Sequence, residues 1–178
     1  MILFEIKSAY VCYFGRSYVH LHICVCTYTF VCAHVYGIKK GGVIVYLRDD
    51  FATDGNVLTS GSNGVVEWLV LHLVAKNLII ITIYRPPTCP NNLFTQIIHD
   101  INNQIEAMGT PSPTIIMSGD FNLPIIEWPS GEIRGGHAYM RVQAQVLLEF
   151  SNNHMMEQCI LEPTRGHNIL DLFFCQRP

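Results

Sequence analysis

Short apolar runs, separated by polar or glycine-rich breaks, make up most of this chain. Residues 41–50 ("GGVIVYLRDD") predict a strand bounded by glycines and acids, and 53–64 has the composition of a loop. Two longer runs, 65–74 and 77–87, are nearly continuous along the chain, which predicts two strands paired in a hairpin. The second run is almost entirely β-branched and ends at Pro86, so we expect a strand buried on both faces.

Two further segments have the apolar spacing of helices. In residues 91–109 apolar side chains recur every three or four positions, Asn91 or Asn92 can cap the start, and Gly109 can close the end. A second helix is predicted over residues 137–151. The remaining short apolar runs predict strands at 114–118, 156–161 and 169–174. Because strands and helices mix without strict alternation, we expect an α/β sandwich and not a doubly wound sheet.

Composition and charge narrow the class of protein. A chain of 178 residues with 49% hydrophobic and 14% charged residues fits one domain with a real core, and it is not a disordered tail. The net charge of −3 means that any binding of nucleic acid has to work without a generally basic surface. Four of the seven cysteines lie in the first 32 residues and the others are scattered, which is typical of a reduced intracellular protein.

Residues 18–36 differ from the rest of the chain. They contain no Lys, Arg, Asp or Glu, and Tyr, His or Cys alternates with Val, Ile, Thr or Ala except at Leu21 and Phe30. The codons of these two residue groups alternate purines and pyrimidines in opposite phase. A translated TG/CA dinucleotide repeat would therefore produce this pattern, and so would an ordinary strand with two different faces.

Three functional interpretations of residues 18–36 fit less well. Three histidines weaken a membrane span, and a signal peptide would begin with basic residues. A metal site would have to use the unfavourable spacing of Cys24, Cys26, Cys32 and His34. We therefore expect residues 1–36 to lie outside the domain, to form at most one ill-fitting strand or helix, and to be dispensable for stability.

Polar side chains stand at the ends of three apolar runs. Tyr84 ends "IIITIY", Asp120 and Asn122 follow "TIIMSG", and Asp171 interrupts "NILDLFF". Each has a plain structural explanation: a sheet-edge aromatic, a polar turn, and an acid at a strand end. If the three strands are neighbours, however, these side chains cluster at one edge of a buried sheet.

At these residues the chain resembles the endonuclease/exonuclease/phosphatase superfamily, and more narrowly the endonuclease domain of non-LTR (LINE-type) retrotransposons. The resemblance rests on four segments in the right order, covering about residues 37–175: "KKGGVIVYLRDDF", "IYRPP", "SGDFN" and "PTRGHNILDLFF". It implies that residues 37–178 form part of a four-layer α/β/β/α sandwich of the deoxyribonuclease-I-like type. It also implies a nuclear or cytoplasmic protein that is not bound to a membrane.

The resemblance assigns roles to the polar residues. Asp120 and Asn122 would hold Mg²⁺ or Mn²⁺ and act on the attacking water, and Tyr84 would donate its hydroxyl to a phosphate oxygen. Asp171 would orient a catalytic histidine. Substrate-binding roles are implied for Arg85, Thr164 and Arg165. The implied substrate is double-stranded DNA, and the implied partner is a reverse transcriptase domain of the same polyprotein.

Departures from the family pattern keep other functions open. No metal-binding Glu is found upstream of Gly41, none of the eight histidines occupies the family's final position, and Glu67 lies within a later strand. We therefore expect a domain shortened at both ends, whose enzymatic activity is low. The alternatives are a nucleic-acid- or protein-binding remnant without turnover and, less favoured, a branch acting on phospholipids or inositol phosphates.

The first prediction concerns the rate of DNA cleavage. We expect this chain to nick plasmid DNA with Mg²⁺ very slowly, because a positioned acid or base contributes on the order of 10²–10⁴-fold. A version extended by family-type terminal segments should nick the plasmid, and its Asp120→Ala form should not. Equal nicking by the short chain would show that other residues supply the missing groups.

Overall fold

The apolar runs of the sequence form two β-sheets. The computed structural model describes residues 3–6, 9–13, 28–33, 43–48, 55–62, 65–90 and 92–176. Its strands are β1 (Leu3–Ile6), β2 (Ala9–Tyr13), β3 (Tyr28–Ala33), β4 (Val43–Arg48), β5 (Gly55–Ser62), β6 (Glu67–Leu73), β7 (Leu78–Tyr84), β8 (Thr114–Asp120), β9 (Ile126–Glu127), β10 (Glu132–Ile133), β11 (Met156–Gln158) and β12 (Asp171–Gln176). Its helices are α1 (Leu93–Glu106) and α2 (Ala138–Asn153).

The larger sheet has six strands in the order β11-β12-β8-β7-β6-β5. Strands β6 and β7 form the predicted hairpin, joined through a 3-10 turn at Val74–Lys76 and a left-handed Asn77. Strand β7 then runs parallel to β8, and every other neighbouring pair in this sheet is antiparallel. The five inner residues of β7 are buried, which confirms a central strand covered on both faces.

Residues 53–64 were predicted to be a loop, and this prediction is wrong for 55–62. These residues form β5, the edge strand of the larger sheet, with an irregularity in its register between Val57 and Thr59. Small polar residues suit this position because an edge strand is held through its backbone and needs little side-chain burial. A Cβ at Gly61 would lie 2.7 Å from the Trp68 ring, so only glycine leaves room for the indole at this position of the strand.

Both predicted helices are present and cover one face of the larger sheet. Helix α1 buries its apolar stripe there, and α2 packs beside it. Three aromatic rings join the helices to the sheet, since Phe121 meets Phe94 and Phe174 edge to face with centroids 6.2 Å apart in each pair. Within the described residues, no helix is long and apolar enough to cross a membrane.

The smaller sheet lies against the other face of the larger one. Its strands have the order β1-β2-β4-β3, and all of its pairs are antiparallel. The inward side chains of β4 are fully buried against those of β6 and β7; they are Val43, Val45 and Leu47, facing Leu69, Leu71, Leu73 and Ile80. The described layers are therefore sheet, sheet and helices, and the predicted α/β class is confirmed.

The described parts of residues 1–36 form three strands of the smaller sheet. Strands β2 and β3 pair with the two edges of β4 over five and six residues, so the expectation of at most one ill-fitting strand is wrong. The physical reason is that alternating β-prone residues form a strand whatever their origin. The proposed origin of 18–36 in a dinucleotide repeat remains a prediction, and most of that segment lies outside the described residues.

The second prediction follows from these pairings. Deleting residues 1–36 removes both strands that pair with β4, so we now expect a loss of stability in place of the unchanged stability that the sequence suggested. We expect a loss of at least ~2 kcal/mol, and a fall of at least about 4 °C in the melting temperature. Thermal melts of the two chains check this, and an unchanged melting temperature would show that the segment contributes nothing to the fold.

Candidate active site

Strand register places four polar residues in one row across the larger sheet. Asp171 is opposite Asp120, Asp120 is opposite Tyr84, and Tyr84 is opposite Glu67. Because directly opposed residues point to the same face, all four share the face that meets the smaller sheet. The predicted clustering of Tyr84, Asp120 and Asp171 at one sheet edge is thus confirmed.

Glu67 is the member of this row that the sequence did not suggest. It is buried, and its place within an apolar strand is what hides it in the sequence. A signal was nevertheless available, because the hairpin pairs Leu73 with Leu78, and moving six residues away from the turn along each strand reaches Glu67 and Tyr84. One step deeper on the same face, the hydroxyls of Thr82 and Ser118 are buried, and neither has a hydrogen-bond partner among the residues that the structure describes.

Gly119 allows β8 to pair closely with β7 next to Asp120. Its φ of +150° is a conformation that L side chains rarely adopt, and a Cβ would lie 1.8 Å from the carbonyl oxygen of Ile83. No side chain fits that space. The glycine of "SGDFN" is therefore required by the close approach of β7 and β8 beside Asp120.

The loop after β8 is a tight turn that begins at the acid. Asp120 Oδ1 accepts a hydrogen bond from the backbone N–H of Asn122 (3.2 Å), and Asn122 has a left-handed φ of +48°. The backbone N–H of Phe121 donates to the Leu170 carbonyl (2.8 Å), which ties the loop to the start of β12. The polar-turn explanation of Asp120 and Asn122 is thus correct, and the turn itself shapes the site.

Arg165 extends over both residues of this turn. Its Nη2 lies 3.2 Å from Asp120 Oδ2, and its Nη1 lies 3.2 Å from Asn122 Oδ1. The Arg165 side chain is 57% exposed, whereas that of Asp120 is only 3% exposed, so the guanidinium covers the acid from the solvent side. Thr164 anchors the loop that carries Arg165, because its Oγ1 accepts hydrogen bonds from the backbone N–H groups of Leu170 (3.0 Å) and Asp171 (3.1 Å).

Arg85 lies inside the protein with 0% exposure. Its guanidinium donates to the carbonyl oxygens of Phe121 and Asn122 (3.1 Å each) and to Gln143 Oε1 (2.8 Å from Nε). It also lies 5.9 Å from the centroid of the Phe94 ring. This position is at odds with the predicted role in substrate binding, because the charged group points into the core between the loop and α2.

Burial sets the electrostatics of the acid pair. Burial, and then the neighbouring Asp171, raise the pKa of the Asp120 carboxyl, while Arg165 and the bond from Asn122 oppose this shift. A carboxylate with a raised pKa is a stronger base than an exposed aspartate.

The donor set fits a weakly held, hydrated divalent cation. Asp120 and Asn122 each turn one oxygen towards the Arg165 guanidinium, which shows that a positive group is accepted there. Mg²⁺ commonly binds through one or two carboxylates and keeps several waters. The described residues contain no cluster of three or more His, Cys, Asp or Glu that could hold a metal, and His167 is an exposed turn residue.

Comparison with known proteins defines the class. The chain is an α/β protein of the endonuclease/exonuclease/phosphatase superfamily. A family model described as endonuclease-reverse transcriptase matches residues 78–178, more than half of the chain, and the chain belongs to this family. No curated protein matches the chain.

Several solved structures are similar. The endonuclease domain of TRAS1, a telomere-specific non-LTR retrotransposon, is 15% identical with a TM-score of 0.49, covering 84% of this chain and 65% of that one. The catalytic domain of human Nocturnin is 11% identical with a TM-score of 0.48, covering 85% and 60%. The chain spans less than two thirds of the length of each of these structures.

The third prediction tests the cost of burying the acid. A raised carboxyl pKa means that the folded state holds the proton more tightly than the unfolded chain, so stability falls as the pH rises through this range. Asp120→Asn should therefore raise the melting temperature at about pH 7, with a gain that shrinks towards about pH 3.

Asp100→Asn is the matched control, because Asp100 is exposed on α1. It should change the melting temperature little at either pH. A lower melting temperature of Asp120→Asn at neutral pH would show that the attraction of Arg165 outweighs the cost of burial.

Proposed function

We propose that this chain is the DNA-cleaving part of a retroelement endonuclease, hydrolysing phosphodiester bonds with Mg²⁺ or Mn²⁺. The observation that carries the proposal is the row of Asp171, Asp120 and Tyr84 at the sheet edge, with Asn122 and Arg165 beside it. The family name pairs an endonuclease with a reverse transcriptase, which supports a role in an element that encodes both activities.

The cation would be held by Asp120 and Asn122. When bound, it would neutralise charge on the phosphate oxygens and polarise the bond to phosphorus. Arg165 now covers these two oxygens, so binding of the cation requires its guanidinium to move aside. A flexible, half-exposed side chain can make this movement and remain close enough to bind a phosphate.

The protein's own residues would divide the remaining work. Asp120 would take the proton of the attacking water on its carboxylate, and Asn122 would orient that water or the phosphate through its amide. Tyr84 would donate its hydroxyl to a phosphate oxygen as charge develops in the transition state. Arg165, supported by Thr164, would bind the DNA backbone with its planar fork of donors.

Asp171 has the least defined role. By family resemblance it would orient a histidine, but in the described part of the chain no histidine hydrogen-bonds to it. Its negative charge beside Asp120 raises the basicity of that carboxylate. We therefore propose that Asp171 contributes here mainly through the electrostatics of Asp120, and that turnover is slow.

The fourth prediction tests the function. Supercoiled plasmid is incubated with the chain and Mg²⁺ or Mn²⁺, and the rate of nicking is compared for the unmodified chain, Asp120→Asn and Asp100→Asn. We expect EDTA to abolish nicking, Asp120→Asn to lose about 10²-fold or more, and the exposed Asp100→Asn to stay close to the unmodified rate.

Other outcomes identify the competing functions. Tight DNA binding without metal-dependent nicking, unchanged in Asp120→Asn, would support a remnant that binds nucleic acid without turnover. Hydrolysis of inositol phosphates or phospholipid headgroups in preference to plasmid would support the phosphatase branch. Nicking that is equal in all three chains would mean a contaminating nuclease, and the proposal would then fail.

A further inference from the structure

Helix α2 is linked to the candidate active site by two fully buried side chains in contact: Gln143 of the helix and Arg85, which follows β7. We propose that Gln143, acting through Arg85, is a positioning residue that holds Asp120 and Asn122 ready for a divalent cation. This inference rests on the proposed function and adds to it a residue of α2, 58 positions from Arg85 along the chain.

The main chain of Arg85 holds both ends of the turn. Its backbone N–H donates to the carbonyl oxygen of Asp120 (2.9 Å), and its own carbonyl oxygen accepts from Asn122 Nδ2 (2.9 Å). The second bond fixes which way the Asn122 amide faces. Its Oδ1 is therefore turned towards the outside of the site, where it meets Arg165 at 3.2 Å.

The side chain of Arg85 holds the middle of the same turn. Its Nη1 reaches the carbonyl oxygens of Phe121 and Asn122, 3.1 Å away in each case, and that of Pro86 at 3.3 Å. Asn122 is a non-glycine residue in the left-handed region, a conformation that persists only where the surroundings hold it. The hydrogen bonds from the Arg85 guanidinium to the carbonyl oxygens of the turn stabilise this conformation.

Gln143 determines where that guanidinium lies. Its Oε1 accepts from Arg85 Nε at 2.8 Å and also from Nη2, so two of the donors meet a single oxygen. Its Nε2 donates to the carbonyl of Pro90 (2.9 Å), which fixes the orientation of the amide. Gln143 has 0% exposure, so water cannot take its place without opening the core.

The buried Arg85 guanidinium is paired with a neutral amide, that of Gln143, and not with a carboxylate. In the described residues no carboxylate forms an ion pair with Arg85, and burial lowers the pKa of its guanidinium. A buried arginine held only by neutral acceptors costs stability. The placement of this guanidinium therefore depends on its neutral acceptors, of which Gln143 is the only side chain among the described bonds.

The fifth prediction compares two glutamines of the same helix. Gln143→Leu removes the acceptor at nearly constant volume, whereas Gln145→Leu makes the same change at an exposed position. Mn²⁺ affinity is measured by electron paramagnetic resonance well below the melting temperature. We expect Gln143→Leu to weaken Mn²⁺ binding about fivefold or more, and Gln145→Leu to leave it unchanged.

Hydrogen exchange and a conservative variant separate positioning from simple packing. In Gln143→Leu, amides of residues 119–123 should exchange faster while those of β7 stay protected. Gln143→Glu keeps an oxygen for the Arg85 fork and should restore Mn²⁺ affinity to within about twofold of the unmodified chain. If Gln143→Leu fails to fold, Arg85→Lys takes its place in the test. This variant keeps the positive charge but loses the branched guanidinium, and it should weaken Mn²⁺ binding as much as is expected for Gln143→Leu.

Three results would overturn the inference. Unchanged Mn²⁺ affinity in Gln143→Leu, with binding still abolished by Asp120→Asn, would remove the role of Gln143 and leave the proposed site intact. Equal weakening by Gln143→Leu and Gln143→Glu would mean that the residue acts by packing alone. Absence of Mn²⁺ binding that depends on Asp120 would overturn both the inference and the proposed cation site.

Discussion

A buried guanidinium holds the candidate site of this protein together. Arg85 follows directly after the central strand β7, and its main chain and side chain make hydrogen bonds to the whole of the turn from Asp120 to Asn122. The turn needs such support because it combines a buried acid with a left-handed residue, and both are unfavourable by themselves. The favourable packing of the sheet and helices around Arg85 offsets these costs.

The second constraint is the register of the larger sheet. Parallel pairing of β7 with β8, and antiparallel pairing of β8 with β12, bring the ends of distant segments into a single row. Gly119 makes the first of these pairings possible at the site, because any side chain there would collide with Ile83. The row of polar residues is therefore a property of the sheet, and the turn after β8 adds Asn122 beside it.

Charge is distributed unevenly around this row. Three carboxylates share its face, and the described counter-charges are one buried arginine behind the turn and one exposed arginine in front of it. Gln143 of α2 holds the buried guanidinium of Arg85, whereas the guanidinium of Arg165 belongs to a half-exposed side chain.

The sequence by itself determined the elements whose signals are local. The β6–β7 hairpin, both helices and the positions of Tyr84, Asp120, Asn122 and Asp171 at strand ends were predictable, because hydrophobic periodicity and turn residues act over a few positions. The family could also be identified from the sequence, because it is defined by short motifs that occur in the expected order along the chain. The alternation of residues 18–36 was also visible, but it did not say whether those residues would join a sheet.

Tertiary structure decided everything that depends on partners distant in the chain. The polar segment 55–62 became a strand because β6 offered its backbone an edge to pair with, and strands β2 and β3 formed on the edges of β4 for the same reason. The placement of Arg85 in the core, of Glu67 in the row and of Arg165 over the acid depends on register and burial between residues 17 to 58 positions apart in the sequence. Local pattern carries no information on such distances, since an arginine after a strand looks the same whether it faces solvent or the core.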